Sequence, residues 1–252
     1  MKDLLILYPH GLGDCILLTP AIREFYKATV ERVHIATLER FRSAKFFENN
    51  PYVDKIFYTK DAWHDYSNSQ VGFQSLYEEW KSFAKDNNFG GIVMPMHSVP
   101  TSKIKLNFNF LGVKGPESVI TEIYTTKEDE TTAQGVINGL VGDSKFGFVQ
   151  STTGVPSKDL PPGFGRQWLQ DNRGIEKFIE IGKDFDPLDY NINVQFEILK
   201  RSSAVCLPDS VFYHACHALN KEIDYVFFGR GQGVYERVKP LHTVKENVVF
   251  KI

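Results

Sequence analysis

The sequence predicts an α/β protein made of two doubly wound parallel units, and three observations carry that reading. Residues 4–59 run strand, helix, strand, helix, strand, the order a parallel sheet needs because each crossover requires a connecting element. The same rhythm restarts near residue 145, after a less regular stretch at 98–145. At 252 residues, 42% apolar and 24% charged, the chain can bury a real core in one large domain or two small ones. The expected division is 1–145 and 146–252.

In the first half, the apolar run at 4–8 reads as a buried strand and 17–28 as the helix after it. "RVHIATL" (32–38) is the second strand, and "RFRSAKFFENN" (40–50) a helix that Pro51 stops. "VDKIFYT" (53–59), the amphipathic helix 75–88 and the apolar strand 90–97 complete this half. In the second half, strands are expected at 145–152, 177–183, 204–210 and 223–231, and helices at 194–203 and 211–219. A Gly/Pro-rich loop covers 154–165.

Net charge is −2, so no bulk positive field draws the chain to nucleic acid or anionic lipid. No apolar run reaches the ~20 residues of a membrane span. Three cysteines without framework spacing suit a reducing compartment, so a cytoplasmic location is expected.

Four stretches hold chemistry. In "YPHGLGDCILLTPAI" (8–22) a strand feeds Gly11, Leu12 and Gly13 into a helix, and such helix N-termini attract anions. The dinucleotide fingerprint fails there because Ile16 stands where its third glycine belongs. Asp14 is read either as the helix cap or as a general base beside glycines that let a substrate approach. In "STTGVPSKDLPP" (151–162), Thr152, Thr153 and Lys158 can hold phosphate oxygens. In "PDSVFYHACHAL" (208–219), Ser210 is a candidate cap, His214 and the helix N-terminus bind an anion or sugar, and Asp209 accepts from hydroxyls. Cys216 and His217 read as core, and metal-ligand spacing is absent. In "FFGRGQG" (227–233), Gly229 and Arg230 sit at the end of a strand, where open parallel sheets bind ligands. The Asp-x-Asp of "KDFDPLD" (183–189) reads as a surface turn.

Taken in order, these stretches resemble glycosyltransferase family 9, the heptosyltransferase-like enzymes. "GLGDCILLTPAIREFYK" is similar to that family's Gly-Asp-apolar-Thr-Pro opening, and "NNPYVDKIF" to its Asn-Pro-x-Val-Asp strand entry. The two threonines followed by Lys158 resemble its phosphate loop, with Leu160 where the family has Trp. "PDSVFYHACHAL" resembles its donor motif, with Val211 in place of a glycine, and Arg230-Gly231 replaces Pro-Thr. The resemblance implies a GT-B fold: two Rossmann-like domains facing across a cleft, with a shortened C-terminal domain whose loss falls largely in 163–200. It implies an inverting, metal-independent transfer of a heptose or other hexose from a nucleotide-diphosphate sugar, with an ADP-linked sugar as one candidate. No cofactor beyond that donor is implied. Asp14 would be the general base, and Gly11, Leu12 and Gly13 would border the acceptor or sugar. Thr152, Thr153, Lys158, Asp209, Ser210, His214, Gly229 and Arg230 would hold the donor. The implied acceptor is a glycan or lipopolysaccharide-like molecule, with a nucleic-acid base as a disfavoured alternative. Two rivals stay open: a non-catalytic nucleotide- or glycan-binding protein derived from such a transferase, and a nicotinamide oxidoreductase with Glu39 as its ribose acid.

Overall fold

Two sheets, each with only parallel strand pairs among the described residues, organise the chain. In the first, β1 (Leu4–Leu7), β2 (Val33–Leu38), β3 (Val53–Thr59) and β4 (Gly91–Val93) lie in the order β3-β2-β1-β4. In the second, β5 (Phe146–Gln150), β6 (Lys177–Ile181), β7 (Ala204–Pro208), β8 (Ile223–Phe228) and β9 (Glu246–Phe250) lie in the order β6-β5-β7-β8-β9. The helices are α1 (Leu12–Thr29), α2 (Gln70–Asp86), α3 (Lys103–Phe110), α4 (Lys127–Leu140), α5 (Phe164–Arg173), α6 (Ile192–Arg201), α7 (Val211–Ala218) and α8 (Gln232–Val238). This computed structural model describes residues 3–60, 70–95, 102–116, 119–184, 186, 189–241 and 244–250.

The alternation of side chains along each strand explains the layers. Leu5 and Leu7 of β1 face α2, packing with Leu76, Trp80 and Ala84, while Ile6 and Tyr8 face the side of α1. In the second sheet Val149 packs with Leu169 of α5, and Phe148 points the other way, toward Phe212 of α7. The α1 side of the first sheet and the α7 side of the second therefore share one continuous core. Phe46 meets Phe196 edge-on, the Ile192 N–H donates to the Ala44 carbonyl, and Thr125 donates to Glu197.

The Thr-Pro pair inside α1 has a physical explanation. Pro20 cannot supply the N–H that would bond the Ile16 carbonyl. The Thr19 hydroxyl donates to that carbonyl instead, at 2.8 Å, and accepts from the Glu122 N–H at 2.9 Å. A kink-prone site becomes a tie between α1 and the segment after α3.

Several expectations change. Residues 40–50 form a short 3-10 turn at Glu39–Phe41 and then further turns, not a helix. Lys45 is left-handed (φ 54°), a backbone conformation that breaks a right-handed helix at that point. The stretch read as irregular contains α3 and α4, and α4 packs on α6 through Arg201–Gln134 and Asn191–Asp129 hydrogen bonds. Helices α5 and α8 and strand β9 also lie where no element was expected. Positions 96 and 97 of the expected fourth strand fall outside the described residues. In the Asp-x-Asp turn, Asp184 accepts from Arg166 and from the Glu180 N–H.

Candidate active site

Each sheet reverses its strand order once, between β1 and β4 in the first and between β5 and β7 in the second. Loops leaving the strands at such switch points diverge and open a crevice. The two crevices meet in one cavity of about 650 Å³. From the first unit it is lined by His10, Gly11 to Asp14, Arg40 and Lys103; from the second by residues that include Gln150, Thr153, Lys158, Asp209 to Val211, His214, Arg230 and Arg237.

On the first side, Gly11 caps α1 without any side-chain bond, and Asp14 lies within the first turn. The reading of Asp14 as the cap is therefore wrong. Helix α1 begins earlier than its apolar run, so the carboxylate is carried inside the helix and aimed at the cavity. Its Oδ1 accepts from Lys103 Nζ at 2.5 Å, with both side chains about one-sixth exposed. Lys103 is placed by α3. One turn further along that helix, the fully buried Asn107 donates to the Leu17 carbonyl of α1 at 3.0 Å. The Tyr8 hydroxyl donates to the Asp14 carbonyl at 3.0 Å, and His10 Nε2 bonds the Pro95 carbonyl at 2.7 Å, tying the ends of β1 and β4.

On the second side, Asp209 is 2% exposed at the turn from β7 to α7. Its Oδ2 lies 3.1 Å from Lys158 Nζ and 2.7 Å from Arg230 Nη2, and its carbonyl accepts from Lys158 at 2.9 Å. Burial alone would raise the carboxyl's pKa; Lys158 and Arg230 outweigh it and hold Asp209 below the ordinary carboxylate range. Burial likewise pulls Lys158 below the usual lysine range, against the opposing pull of Asp209. Ser210 does cap α7, accepting from the Phe212 N–H, and it donates to Gln150. Thr153 is held by Asp159, which accepts from its N–H and its hydroxyl. His214 is 4% exposed, and burial pushes its pKa down to about 4, so it stands neutral. Its Nδ1 has no hydrogen-bond partner among the described residues.

Two glycines turn out to serve protein contacts. A Cβ on Gly13 would lie 2.6 Å from His214 Cδ2, so Gly13 lets the first turns of α1 and α7 touch. A Cβ on Gly229 would lie 2.0 Å from the Ser157 carbonyl oxygen, so Gly229 seats the Pro156–Lys158 turn that carries Lys158. Neither Gly229 nor Thr152 lines the cavity; the Thr152 carbonyl accepts from Gln150. His217 and Cys216 are buried, with His217 3.2 Å from Glu246. Among the described residues, no cluster of three or more His, Cys, Asp or Glu side chains is arranged to hold a metal. No helix among them is long and apolar enough to cross a membrane. Sequence reasoning missed His10, Arg40, Lys103, Gln150 and Arg237.

Among solved structures, the chain is similar to a family 9 glycosyl transferase from Veillonella parvula DSM 2008, with a TM-score of 0.68. Identity is 13%, over 99% of this chain and 86% of that one. The fold is GT-B. E. coli ADP-heptose lipopolysaccharide heptosyltransferase II shares it at a TM-score of 0.68 and 12% identity, over 98% of this chain and 90% of that one. E. coli heptosyltransferase WaaC with ADP-2-deoxy-2-fluoro heptose gives 0.59 and 12%, over 98% and 92%. No family model and no curated protein matches the sequence. In GT-B terms, the cavity is the cleft between the two Rossmann-like units, with Asp14 on one wall and Lys158, Asp209 and Arg230 on the other.

Proposed function

We propose that the chain is an inverting glycosyltransferase that moves a heptose-like sugar from a nucleotide-diphosphate donor to an acceptor hydroxyl. The observation that carries this reading is one carboxylate, Asp14, facing a cationic wall of Lys158 and Arg230 across a single cleft. The GT-B likeness supports it, and two of the similar structures contain ADP or an ADP-heptose analogue.

In this reading the donor diphosphate lies against Lys158, Arg230, Thr153 and the start of α7. The acceptor enters from the side of His10, Arg40 and Asp14. Asp14 takes the proton of the acceptor hydroxyl while that oxygen bonds to the anomeric carbon. The bond from that carbon to the diphosphate oxygen breaks, and its electron pair leaves with the nucleotide. Lys158 and Arg230 meet the new charge; they are fixed beforehand on Asp209, so little reorganisation is needed. Neutral His214 contributes a hydrogen bond, not a charge.

The test has two steps. Thermal shift with ADP, UDP, GDP, CDP and dTDP selects the nucleotide, with ADP expected to raise the melting temperature most. Asp14→Asn should then lower transfer from the matching nucleotide sugar by roughly 10²- to 10⁴-fold while nucleotide affinity stays within about twofold. Wild-type-like transfer by that variant would remove Asp14 from the role. Nucleotide binding without any transfer or donor hydrolysis would favour a binding protein instead.

A further inference from the structure

The second wall of the cleft is made of two separate pieces. One is the loop after β5, which carries Thr153 and Lys158; the other is the start of α7, which follows β7. They leave neighbouring strands at the switch point of the second sheet, where connections diverge. A diphosphate that touches both pieces needs the gap between them fixed. Lys158 joins them through Asp209, but its ammonium also has to serve the phosphates.

We propose that Gln150 is a positioning residue for the donor diphosphate: its side-chain amide ties the phosphate loop to the start of α7 and sets the spacing between them. The inference rests on the reading of this wall as the donor site. Gln150 is the last residue of β5 and is 8% exposed. Its Nε2 donates to the Thr152 carbonyl at 2.9 Å, and its Oε1 accepts from the Ser210 hydroxyl at 2.5 Å. Both ends of the amide are in use, and a flip would set its oxygen against the Thr152 carbonyl. The single hydroxyl proton of Ser210 goes to Gln150, while the same oxygen accepts from the Phe212 N–H. Ser210 therefore acts as cap and link, and its hydroxyl does not donate to a phosphate.

The loop transmits this tie because it is closed on itself. The Leu160 N–H donates to the Ser151 carbonyl at 2.8 Å, and Asp159 accepts from the Thr153 N–H and hydroxyl. Gly229 seats the far part of the loop, and Gln150 holds its near end on α7. A shift at Thr152 is carried toward Lys158. The amide is neutral, so it fixes the gap without competing for the phosphates as a carboxylate would. Sequence offered no hint, because 60 residues separate Gln150 from Ser210.

The experiment uses the full chain, with ADP and AMP as probes and calorimetry as the readout. Gln150→Met keeps the length of the side chain and removes both bonds. It should raise the Kd for ADP by about 3- to 10-fold, the worth of one or two hydrogen bonds. The Kd for AMP should stay within about twofold, because a single phosphate does not span the two pieces. The preference for ADP over AMP therefore shrinks. Ser210→Gly cuts the same tie from the other end at little cost to the helix cap, and should shrink the preference similarly. The double variant should lose no more than the larger single loss, since both remove one link. An unchanged preference in Gln150→Met overturns the proposal, as do equal losses for ADP and AMP or additive losses in the double variant. Should Gln150→Met fail to fold, Ser210→Gly decides alone: a smaller preference supports the proposal and an unchanged one overturns it. If wild type prefers ADP and Gln150→Met prefers it equally, only this inference falls. If wild type binds ADP no better than AMP, the donor reading falls and this inference with it.

Discussion

The two walls of the cleft each hold an aspartate paired with a lysine at the carboxyl end of a parallel sheet, yet they are built for different work. Asp14 stands about one-sixth exposed and pairs with Lys103. Asp209 is 2% exposed and holds two cations, and its own carbonyl takes a third contact. A carboxylate that keeps some exposure to the cleft can exchange a proton. A buried carboxylate saturated by cations cannot do so cheaply, and acts as the anchor that fixes those cations for something else. In the proposed mechanism, burial, more than residue type, sorts base from anchor.

Swapping the same substitution between the walls tests the distinction most strongly. Asp14→Asn should act chiefly on rate, and cost less stability than Asp209→Asn, because a single lysine loses its counter-charge there and not two cations. Asp209→Asn should act on stability, costing about 3 kcal/mol in urea denaturation because Lys158 and Arg230 are left without their buried counter-charge. It should also weaken nucleotide binding. Equal effects of the two substitutions would erase the contrast.

A pH series sharpens it further. His214 has its pKa pushed from the ordinary 6.5 to about 4 in the fold. Below pH 6.5 the unfolded chain takes up a proton that the native one refuses, so stability falls between pH 6.5 and 4. The loss approaches roughly 3 kcal/mol at the acid end. Replacing His214 by Asn should flatten that window. Asp209 works in a lower one: its depressed pKa favours the fold above the ordinary carboxylate range and is lost as pH falls beneath it.

The glycines give the smallest effects. Gly229→Ala should displace the Pro156–Lys158 turn and lower nucleotide affinity, since its Cβ would strike a backbone oxygen. Gly13→Ala should cost about 1–3 kcal/mol by forcing α1 off His214. Calorimetry for the first and denaturation for the second would read these changes.

The site was legible where chemistry follows a local strand-turn-helix pattern. Gly11 to Asp14, Lys158, Asp209, Ser210, His214 and Arg230 all follow strand ends, and all line the cleft. Lys103 was not legible, because α3 lies in a segment with weak periodicity and its placement depends on a bond between Asn107 and a distant carbonyl. Gly13 was read as room for a substrate, and only the fold reveals His214 in that space. The helix expected at 40–50 failed because Lys45 takes a left-handed conformation (φ 54°), which composition and periodicity do not reveal.

The continuous core through α1 and α7 has a thermodynamic consequence. Because no aqueous layer separates the units there, neither can melt without exposing apolar surface of the other, and the chain should unfold as one cooperative body. A nucleotide held only by the second sheet's loops would then raise the melting point of the first sheet too, by the full linkage amount. Hydrogen exchange in β1 and β2 would register the ligand.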